Sequence, residues 1–359
     1  MTNKTFVKFG FVVLSLLLSG CVPHHIIDEV SLMHNIGFDR EKKQLKGFVV
    51  YPDYQQGNDS SLISAVAPNP SSLREELGYK SQYKIEMGQL RVIIFGNKLS
   101  TYGLAQILDT ICKDPQVGIV RIAISNDSPS KILKKTLNER PLYLMNLIEQ
   151  SIKNEGIPES NIHTLFDQYF GSGIDMSFPL LKVDSSGKVK VDGMGIFKED
   201  KLKHTISTKE AFLLKLMTDR NKAGVFNLKL TKNDQSSNIG ARFLYGNHKI
   251  KILNENNHEK AKINLDLNVE LGGLPDWMTI ENEKDYNTIK NEIQKSISRD
   301  AAALLKNLQV KNVDPIGLGR MHKISHDNWS EDNFYKNIYP NMTFDVSTNI
   351  IIRQAGVGK

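Results

Sequence analysis

The hydrophobic pattern of the chain begins with one dense apolar run, and the pattern after that run is different in character. The run covers residues 9–18, Phe-Gly-Phe-Val-Val-Leu-Ser-Leu-Leu-Leu, with Lys4 and Lys8 before it and the first acidic residue, Asp28, well after it. A basic start, a short apolar middle and small residues at a cleavage site are the features of a secretion signal. A spanning helix needs about 20 apolar residues, so a permanent membrane span is the less favoured interpretation.

The run ends in Leu18-Ser19-Gly20-Cys21, which resembles the lipobox of bacterial lipoproteins. In that motif the cysteine thiol receives a diacylglycerol, and the peptide bond before the cysteine is cut. We therefore predict a lipoprotein signal peptide over residues 1–20 and lipid attachment at Cys21; an ordinary signal peptide that contains a cysteine is the alternative. Two acyl chains anchor a protein stably where one does not, so the chain after Cys21 is expected to form an ectodomain held at the membrane.

The first half of the remaining chain alternates strand patterns with helix patterns. Two β-rich runs, residues 36–39 and 45–51, are joined by a charged segment and predict a hairpin. Residues 52–70 are rich in Pro, Asn, Ser, Asp and Gly and predict a long loop. Strand patterns at 90–96 and 119–124 are separated by a helix pattern, which favours neighbouring parallel strands joined by a crossover helix.

Two helix starts carry a capping pattern, and one further helix is indicated by periodicity. Ser72 precedes Glu75 by three residues, and Ser207 precedes Glu210 by the same spacing, so each serine is predicted to open a helix. A short apolar periodicity over residues 26–32 favours a helix near the start of the ectodomain.

The second half has strands first, then a long helix, and then one strand. Four strand patterns come first, and the fourth alternates apolar and polar residues as a half-buried antiparallel strand does. They are residues 226–230, 242–245, 249–253 and 262–271. One apolar stripe from Tyr286 to Leu308 predicts a long helix, and residues 343–352 predict the final strand.

The predicted fold class is therefore α+β in a multi-domain ectodomain. A mixed sheet with helices is expected in the N-terminal half, and an antiparallel sheet plus a long helix in the C-terminal half. The predicted divisions are the signal peptide at 1–20, an N-terminal region at 21–200 and a C-terminal domain at 201–359, with the boundary at the Glu199-Asp200 turn. Whether residues 21–200 form one domain or two subdomains stays open.

Composition and charge describe an ordinary globular protein with a mild basic excess. Hydrophobic residues make up 40% and charged residues 24% of the chain. The net charge of +6 falls to +4 when Lys4 and Lys8 leave with the signal peptide. No dense Lys/Arg block is interleaved with aromatic residues, so no nucleic-acid partner is predicted. With Cys21 acylated, Cys112 is the one remaining thiol, and its apolar setting predicts a buried, inert side chain.

The motifs of common active sites are absent from the sequence. Ser172 lacks the flanking glycines of a nucleophile elbow, and Gly317-x-Gly319 lacks the third glycine of a dinucleotide site. His322 and His326 are spaced as on one helix face, but Lys323 stands where a zinc-peptidase motif needs glutamate, so a surface pair is favoured over a metal site. We predict no catalytic residue, no cofactor and no metal, and hence a protein that is not an enzyme.

Five further segments stand in order behind the lipobox: Ile26-x-Asp28-Glu29-Val30, Asn35-Ile-Gly-Phe-Asp39, Leu90-Arg-Val-Ile-Ile-Phe-Gly96, Asp192-Gly-Met-Gly-Ile-Phe-Lys198 with Asp200-Lys-Leu202, and Asp314-Pro-Ile-Gly-Leu-Gly319. Together they make the chain resemble the C-subunit family of spore germinant receptors, the Ger(x)C lipoproteins, over nearly all of its mature length. That family usually has tryptophan and then an acidic residue after the lipidated cysteine, where this chain has Val22-Pro23.

The resemblance implies a non-enzymatic lipoprotein on the outer face of the spore's inner membrane. Such a protein assembles with two integral-membrane subunits into a receptor that responds to nutrients and is required for germination. The resemblance also implies an α+β ectodomain of about three domains, each with its own sheet. The alternative is a solute-binding lipoprotein of a transporter, which predicts two matching lobes around a pocket; the unlike halves of this sequence make it less favoured.

Overall fold

The computed structural model describes residues 30–53, 59–114, 117–140, 142–232, 234–255 and 258–355. The predicted signal peptide and Cys21 lie outside these residues. We call residues 30–206 the N-terminal part and residues 207–355 the C-terminal part.

The N-terminal part contains ten strands and six helices among the described residues. In chain order they are β1 (Val30–Leu32), β2 (Asn35–Glu41), β3 (Gln44–Asp53), β4 (Asp59–Ala67), α1 (Pro70–Gly78), β5 (Lys84–Glu86), β6 (Val92–Gly96), α2 (Asn97–Tyr102), α3 (Ala105–Lys113), β7 (Arg121–Ser125), α4 (Pro129–Lys135), α5 (Tyr143–Asn154), α6 (Ile162–Tyr169), β8 (Ser177–Val183), β9 (Val189–Lys198) and β10 (Lys201–Ile206).

The C-terminal part contains four strands and four helices among the described residues. They are α7 (Thr208–Thr218), β11 (Gly224–Lys232), β12 (Gln235–Glu255), β13 (His258–Gly272), α8 (Glu283–Val310), α9 (Leu318–Ile324), α10 (Glu331–Asn333) and β14 (Thr343–Ala355). A π-helical turn (Phe334–Ile338) and a 3₁₀ turn (Tyr339–Asn341) continue α10 toward β14.

Eight strands of the N-terminal part form one mixed sheet in the order β10-β9-β8-β7-β6-β2-β3-β4. Its centre is parallel, because β6 pairs in parallel with both β2 and β7. The run Val92-Ile93-Ile94-Phe95 in β6 is fully buried, as expected for a parallel strand covered on both faces. The predicted parallel neighbours with helices between them, and the predicted hairpin of β2 and β3, are confirmed.

Two local predictions in this part are wrong. The segment predicted as a loop over 52–70 contains β4, which pairs with β3 along its whole length at one edge of the sheet. An edge strand tolerates the serines of this segment, because its backbone is paired while few of its side chains are buried. Of the segment 26–32 that was predicted as a helix, residues 26–29 lie outside the described residues, and Val30–Leu32 form a strand, because they pair in parallel with β5 in a small two-stranded sheet.

The C-terminal sheet has the order β11-β12-β13-β14, and α8 packs on it. Its first three strands are antiparallel, as predicted, and the predicted apolar stripe of α8 is buried. The fourth strand, β14, is parallel to β13, which corrects the prediction of a fully antiparallel sheet. The reason is the connection: α8 crosses the sheet between the two strands and returns the chain to the same end.

The two parts share apolar packing. One continuous buried cluster contains Ile94 and Ala123 of the eight-stranded sheet together with Leu213 of α7, Val269 of β13 and Leu304 of α8. A second cluster covers the opposite face of the eight-stranded sheet. The predicted boundary at residue 200 falls in the turn between β9 and β10, so one sheet extends across it. The α+β fold class is confirmed.

Candidate functional site

The predicted lipid-attachment residue, Cys21, lies outside the described residues, so its surroundings are not part of the described structure. The other cysteine, Cys112, is half-buried near the end of α3. Burial, with a smaller contribution from Asp109, raises the pKa of this thiol to about 11. A thiol that stays protonated at neutral pH is a poor nucleophile, which agrees with the inert role predicted for it.

A buried polar cluster forms where the turn before α9 meets the N-terminal part. At its centre is Asp314, the first residue of the Asp-Pro-Ile-Gly-Leu-Gly segment, which is fully buried. Its Oδ1 accepts a hydrogen bond from the Gly317 amide at 2.9 Å, and its Oδ2 accepts one from the Gly319 amide at 2.8 Å. Helix starts leave such amides without partners, so the carboxylate closes the beginning of α9.

The Tyr335 hydroxyl donates a third hydrogen bond to Asp314, at 3.2 Å from Oδ2. Burial is the largest influence on Asp314 and raises the pKa of its carboxyl, while the amide and hydroxyl hydrogen bonds act in the opposite direction. The cluster therefore holds a carboxylate in an apolar surrounding by giving it several donors at once.

Asp175 joins this turn to the N-terminal part. Its Oδ2 accepts a hydrogen bond from the Asp314 amide at 2.7 Å, and its own amide donates to the Asp314 carbonyl at 3.0 Å. Lys198, at the end of β9, lies 3.3 Å from Asp175 and 3.4 Å above the ring of Tyr335, an ion pair and a cation–π contact at once. Burial raises the pKa of Asp175 to about 6, although the charge of Lys198 opposes the shift.

Two glycines allow the backbones of the two parts to touch. Gly173 has a φ of +73°, and a Cβ placed on it would lie 2.4 Å from the amide nitrogen of Arg320. A Cβ on Gly319 would lie 3.0 Å from the Cα of Gly173. Around this contact the Arg320 amide donates to the Gly173 carbonyl at 2.8 Å, and the Arg320 guanidinium pairs with Asp167 at 2.7 Å.

A cavity of about 680 Å³ opens beside the cluster, between the two parts. Its lining includes charged and polar side chains from both parts, among them Gln168, Asp175, Lys198, Glu199, Tyr335 and Lys336. Asp175, Lys198 and Tyr335 already bind one another or Asp314. The arrangement is suited to fixing the two parts in one relation and to presenting a polar concave surface between them.

Most of these residues were not singled out by the sequence. Lys198 and Asp314 do lie in two of the segments that carry the family resemblance, and the structure brings those two segments together through Asp175. Asp175 itself lies in a loop-rich stretch whose pattern gives no signal of burial.

The histidine pair departs from the prediction. His326 is exposed, but His322 is buried, with 4% of its surface accessible, so a surface pair is wrong for His322. The two rings are stacked, with centroids 3.8 Å apart. Helical spacing predicted their shared face, but the neighbours of His322 include Glu259 of β13, which is distant in sequence and which the local pattern does not reveal.

Comparison with known proteins gives matches along nearly the whole chain. Residues 23–183 match the model of the spore germination protein N-terminal domain. Residues 192–356 match the model described as spore germination B3/GerAC like, C-terminal. Among the described residues, no helix is both long enough and apolar enough to cross a membrane.

Individual relatives agree with these matches. The chain is 27% identical to the spore germination protein GerQC of Bacillus cereus, over 97% of this chain and 98% of that protein. It is 19% identical to the putative spore germination protein YfkR of Bacillus subtilis (strain 168), over 95% and 94% of the two chains. The crystal structure of the GerBC protein has the same fold, with a TM-score of 0.57 over 88% of this chain and 96% of that one, at 17% identity.

Proposed function

Since the chain belongs to the C-subunit family of spore germinant receptors, we propose that it is the membrane-anchored lipoprotein subunit of a nutrient germinant receptor, required for germination through its assembly with integral-membrane subunits. The observation that carries the proposal is the order of the matches. Both family domains follow one another along the chain, and the first begins at residue 23, directly behind the lipobox that ends at Cys21.

The proposed anchor is the lipid on Cys21. Eight residues lie between Cys21 and Val30, where β1 begins, so the two positions are nine steps of the chain apart and at most about 30 Å when the chain is fully extended. A lipid on Cys21 would therefore hold the folded body close to the outer face of the spore's inner membrane. The net charge of +4 after cleavage suits a surface of anionic lipid head groups.

The proposed role is binding and not catalysis. Tethering raises the effective concentration of the folded body for partners in the same membrane, so contacts that are weak in solution become sufficient for assembly. The carboxylates and the lysine at the junction of the two parts are bound to one another and to the backbone, which supports a scaffold that presents a fixed surface to the integral-membrane subunits.

The anchor is tested by Cys21→Ala with Cys112→Ala as the matched control, because each removes one of the two thiols of the chain. We expect Cys21→Ala to move the protein from the membrane fraction of spores to the soluble fraction and to impair nutrient germination. Cys112→Ala should stay at the membrane and germinate as the wild type does. Membrane retention and normal germination of Cys21→Ala would contradict the proposal.

Assembly is tested by purifying the chain from spore membranes in mild detergent. Two multispanning proteins are expected to copurify with it, and to be lost with Cys21→Ala. A transporter permease in their place, together with a ligand that raises the melting temperature of the chain, would favour the solute-binding alternative.

A further inference from the structure

Three metal-ligating side chains meet where the β12–β13 hairpin ends against α9. Glu259 lies near the start of β13, His322 lies on α9, and His326 follows that helix. One ligand atom from each of the three lies within 4.8 Å of the others. Two imidazoles, one from a helix and one from the segment that follows it, together with a carboxylate from a strand are a donor set that occurs in zinc sites.

The surroundings of His322 are the first indication that this cluster binds a ligand. The side chain is buried, yet neither ring nitrogen has a hydrogen-bond partner among the described residues. Its Nε2 is 3.8 Å from Oε1 of Glu259, which is too long for a hydrogen bond. A buried imidazole without a partner costs free energy, and a ligand between the ring and the carboxylate would remove the part of that cost that falls on Nε2.

His326 and Glu259 are oriented by groups behind them. Nδ1 of His326 lies 2.9 Å from the carbonyl oxygen of His322. A carbonyl only accepts, so Nδ1 carries the hydrogen and Nε2 carries the lone pair that a metal requires. Oε1 of Glu259 accepts a hydrogen bond from the Asn254 side-chain amide at 3.0 Å. Support of this kind, from a backbone carbonyl and from a neighbouring amide, is typical of metal ligands.

We infer that Glu259, His322 and His326 form a binding site for a first-row divalent transition metal, with Zn²⁺ as the best-suited ion. Zn²⁺ accepts two nitrogens and one oxygen in a tetrahedron, whereas Ca²⁺ and Mg²⁺ prefer oxygen ligands throughout. Tetrahedral bonds of about 2.0–2.2 Å place ligand atoms about 3.3–3.6 Å apart. The rings of His322 and His326 are stacked and parallel, so one ring has to turn for both nitrogens to point at the same ion.

His322 and His326 line a cavity of about 460 Å³ together with Trp329, so water from this cavity would supply the fourth ligand. The positive charge nearest in sequence, on Lys323, is directed elsewhere: its Nζ lies 5.4 Å from the centroid of the Trp329 ring and 3.4 Å from Oγ of Ser172. A metal held there would tie the end of the hairpin to the segment that follows α9, the helix whose Arg320 also binds the N-terminal part.

The site is tested by titrating the full-length chain in detergent with Co²⁺ and then displacing it with Zn²⁺. We expect one Co²⁺ per chain at this site, visible absorption bands of four-coordinate Co²⁺, and a rise in melting temperature with Zn²⁺ but not with Mg²⁺. Loss of an outer supporting group commonly weakens metal binding about 10–100-fold, so His326→Ala, which removes a ligand, should weaken it by more than about 100-fold.

The matched control is His163→Ala, which removes an exposed histidine from α6 and should leave binding unchanged. His326 is exposed, so its replacement should preserve the fold, and circular dichroism checks this. Glu259→Gln keeps the shape of the side chain and should weaken Zn²⁺ binding as well. The inference is overturned if His326→Ala binds Co²⁺ as tightly as the wild type, or if only metal retained by every variant, such as metal on His24-His25, is found.

Discussion

Asp175 is a single carboxyl whose surroundings link the stability of the protein to pH. Its pKa of about 6 in the folded protein is above the ordinary value of 3.8, and burial is the main cause. Between about pH 4 and pH 6 the folded state therefore holds a proton that the unfolded chain has released, so stability from this group falls as the pH rises through that window.

We expect Asp175→Asn to remove this dependence. The free energy of unfolding of the wild type should fall, relative to the variant, by up to about 3 kcal/mol between about pH 4 and pH 6. Urea denaturation at several pH values measures the difference between the two proteins. Asp332→Asn, which changes an exposed carboxyl beside the same cavity, is the control and should keep the wild-type profile. Parallel profiles for the wild type and Asp175→Asn would show that the buried carboxyl is not the source.

A single residue stands out in the sequence only where its signal is local. The prediction of lipid attachment at Cys21 rests on the residues next to it and stays a prediction. Asp175, Lys198 and Tyr335 act through contacts with segments far away in sequence. The spacing of residues around each of them therefore does not indicate its role. His322 was misjudged for the same reason, because its neighbours include a residue of a strand that is distant in sequence.

At the scale of elements, the loop at Gly173 can contact the start of α9 because the two residues that meet there, Gly173 and Gly319, are glycines and have no side chain. We expect Gly173→Ala to lower the free energy of unfolding by about 2–5 kcal/mol, since alanine would adopt a left-handed φ and its Cβ would press on the backbone of Arg320. Denaturant unfolding measures the change.

Gly78→Ala is the matched control, because a Cβ at Gly78, at the end of α1, meets no atom of the described residues within 4 Å. That change should alter the free energy of unfolding by about 1 kcal/mol or less. A Gly173→Ala protein as stable as Gly78→Ala would mean that the loop can move away from α9 at little cost.

The starts of the helices and the direction of the last strand also differ in whether nearby or distant residues determine them. Ser207 and Glu210 form the predicted capping box, which needs only four consecutive residues. The predicted cap at Ser72 is wrong, because Asn69 accepts the hydrogen bond from the Ser72 amide and Pro70 takes the first helical position. The direction of β14 depends on the path of α8 across the sheet. The alternation of apolar and polar residues in β14 does not predict that path.

At the scale of the whole molecule, the shared apolar cluster couples the two parts. Both tryptophans, Trp277 and Trp329, lie in the C-terminal part, so their fluorescence reports on that part alone, whereas far-ultraviolet circular dichroism reports on the whole chain. We expect the two signals to give coincident unfolding curves in urea, since separating the parts would expose the buried face that they share. Loss of the fluorescence signal at a clearly different urea concentration would mean that the parts unfold independently.

The general class of the fold could be predicted because helix and strand periodicities are local properties. The division into an alternating N-terminal half and a sheet-plus-long-helix C-terminal half follows from them directly. The sharing of one core by both parts could not be predicted, because periodicity shows that a face is buried and does not show against what.

The position of β2 in the sheet has a consequence for how the protein is made. The chain is synthesised from its amino terminus, so β2, β3 and β4 are complete before β6, the other neighbour of β2, exists. Until residues 92–96 emerge, one side of β2 is an open strand edge next to apolar side chains that are buried in the finished protein, among them Ile36 and Phe38. Open edges of this kind recruit other chains, so the yield of folded protein should depend on how quickly β6 reaches its place.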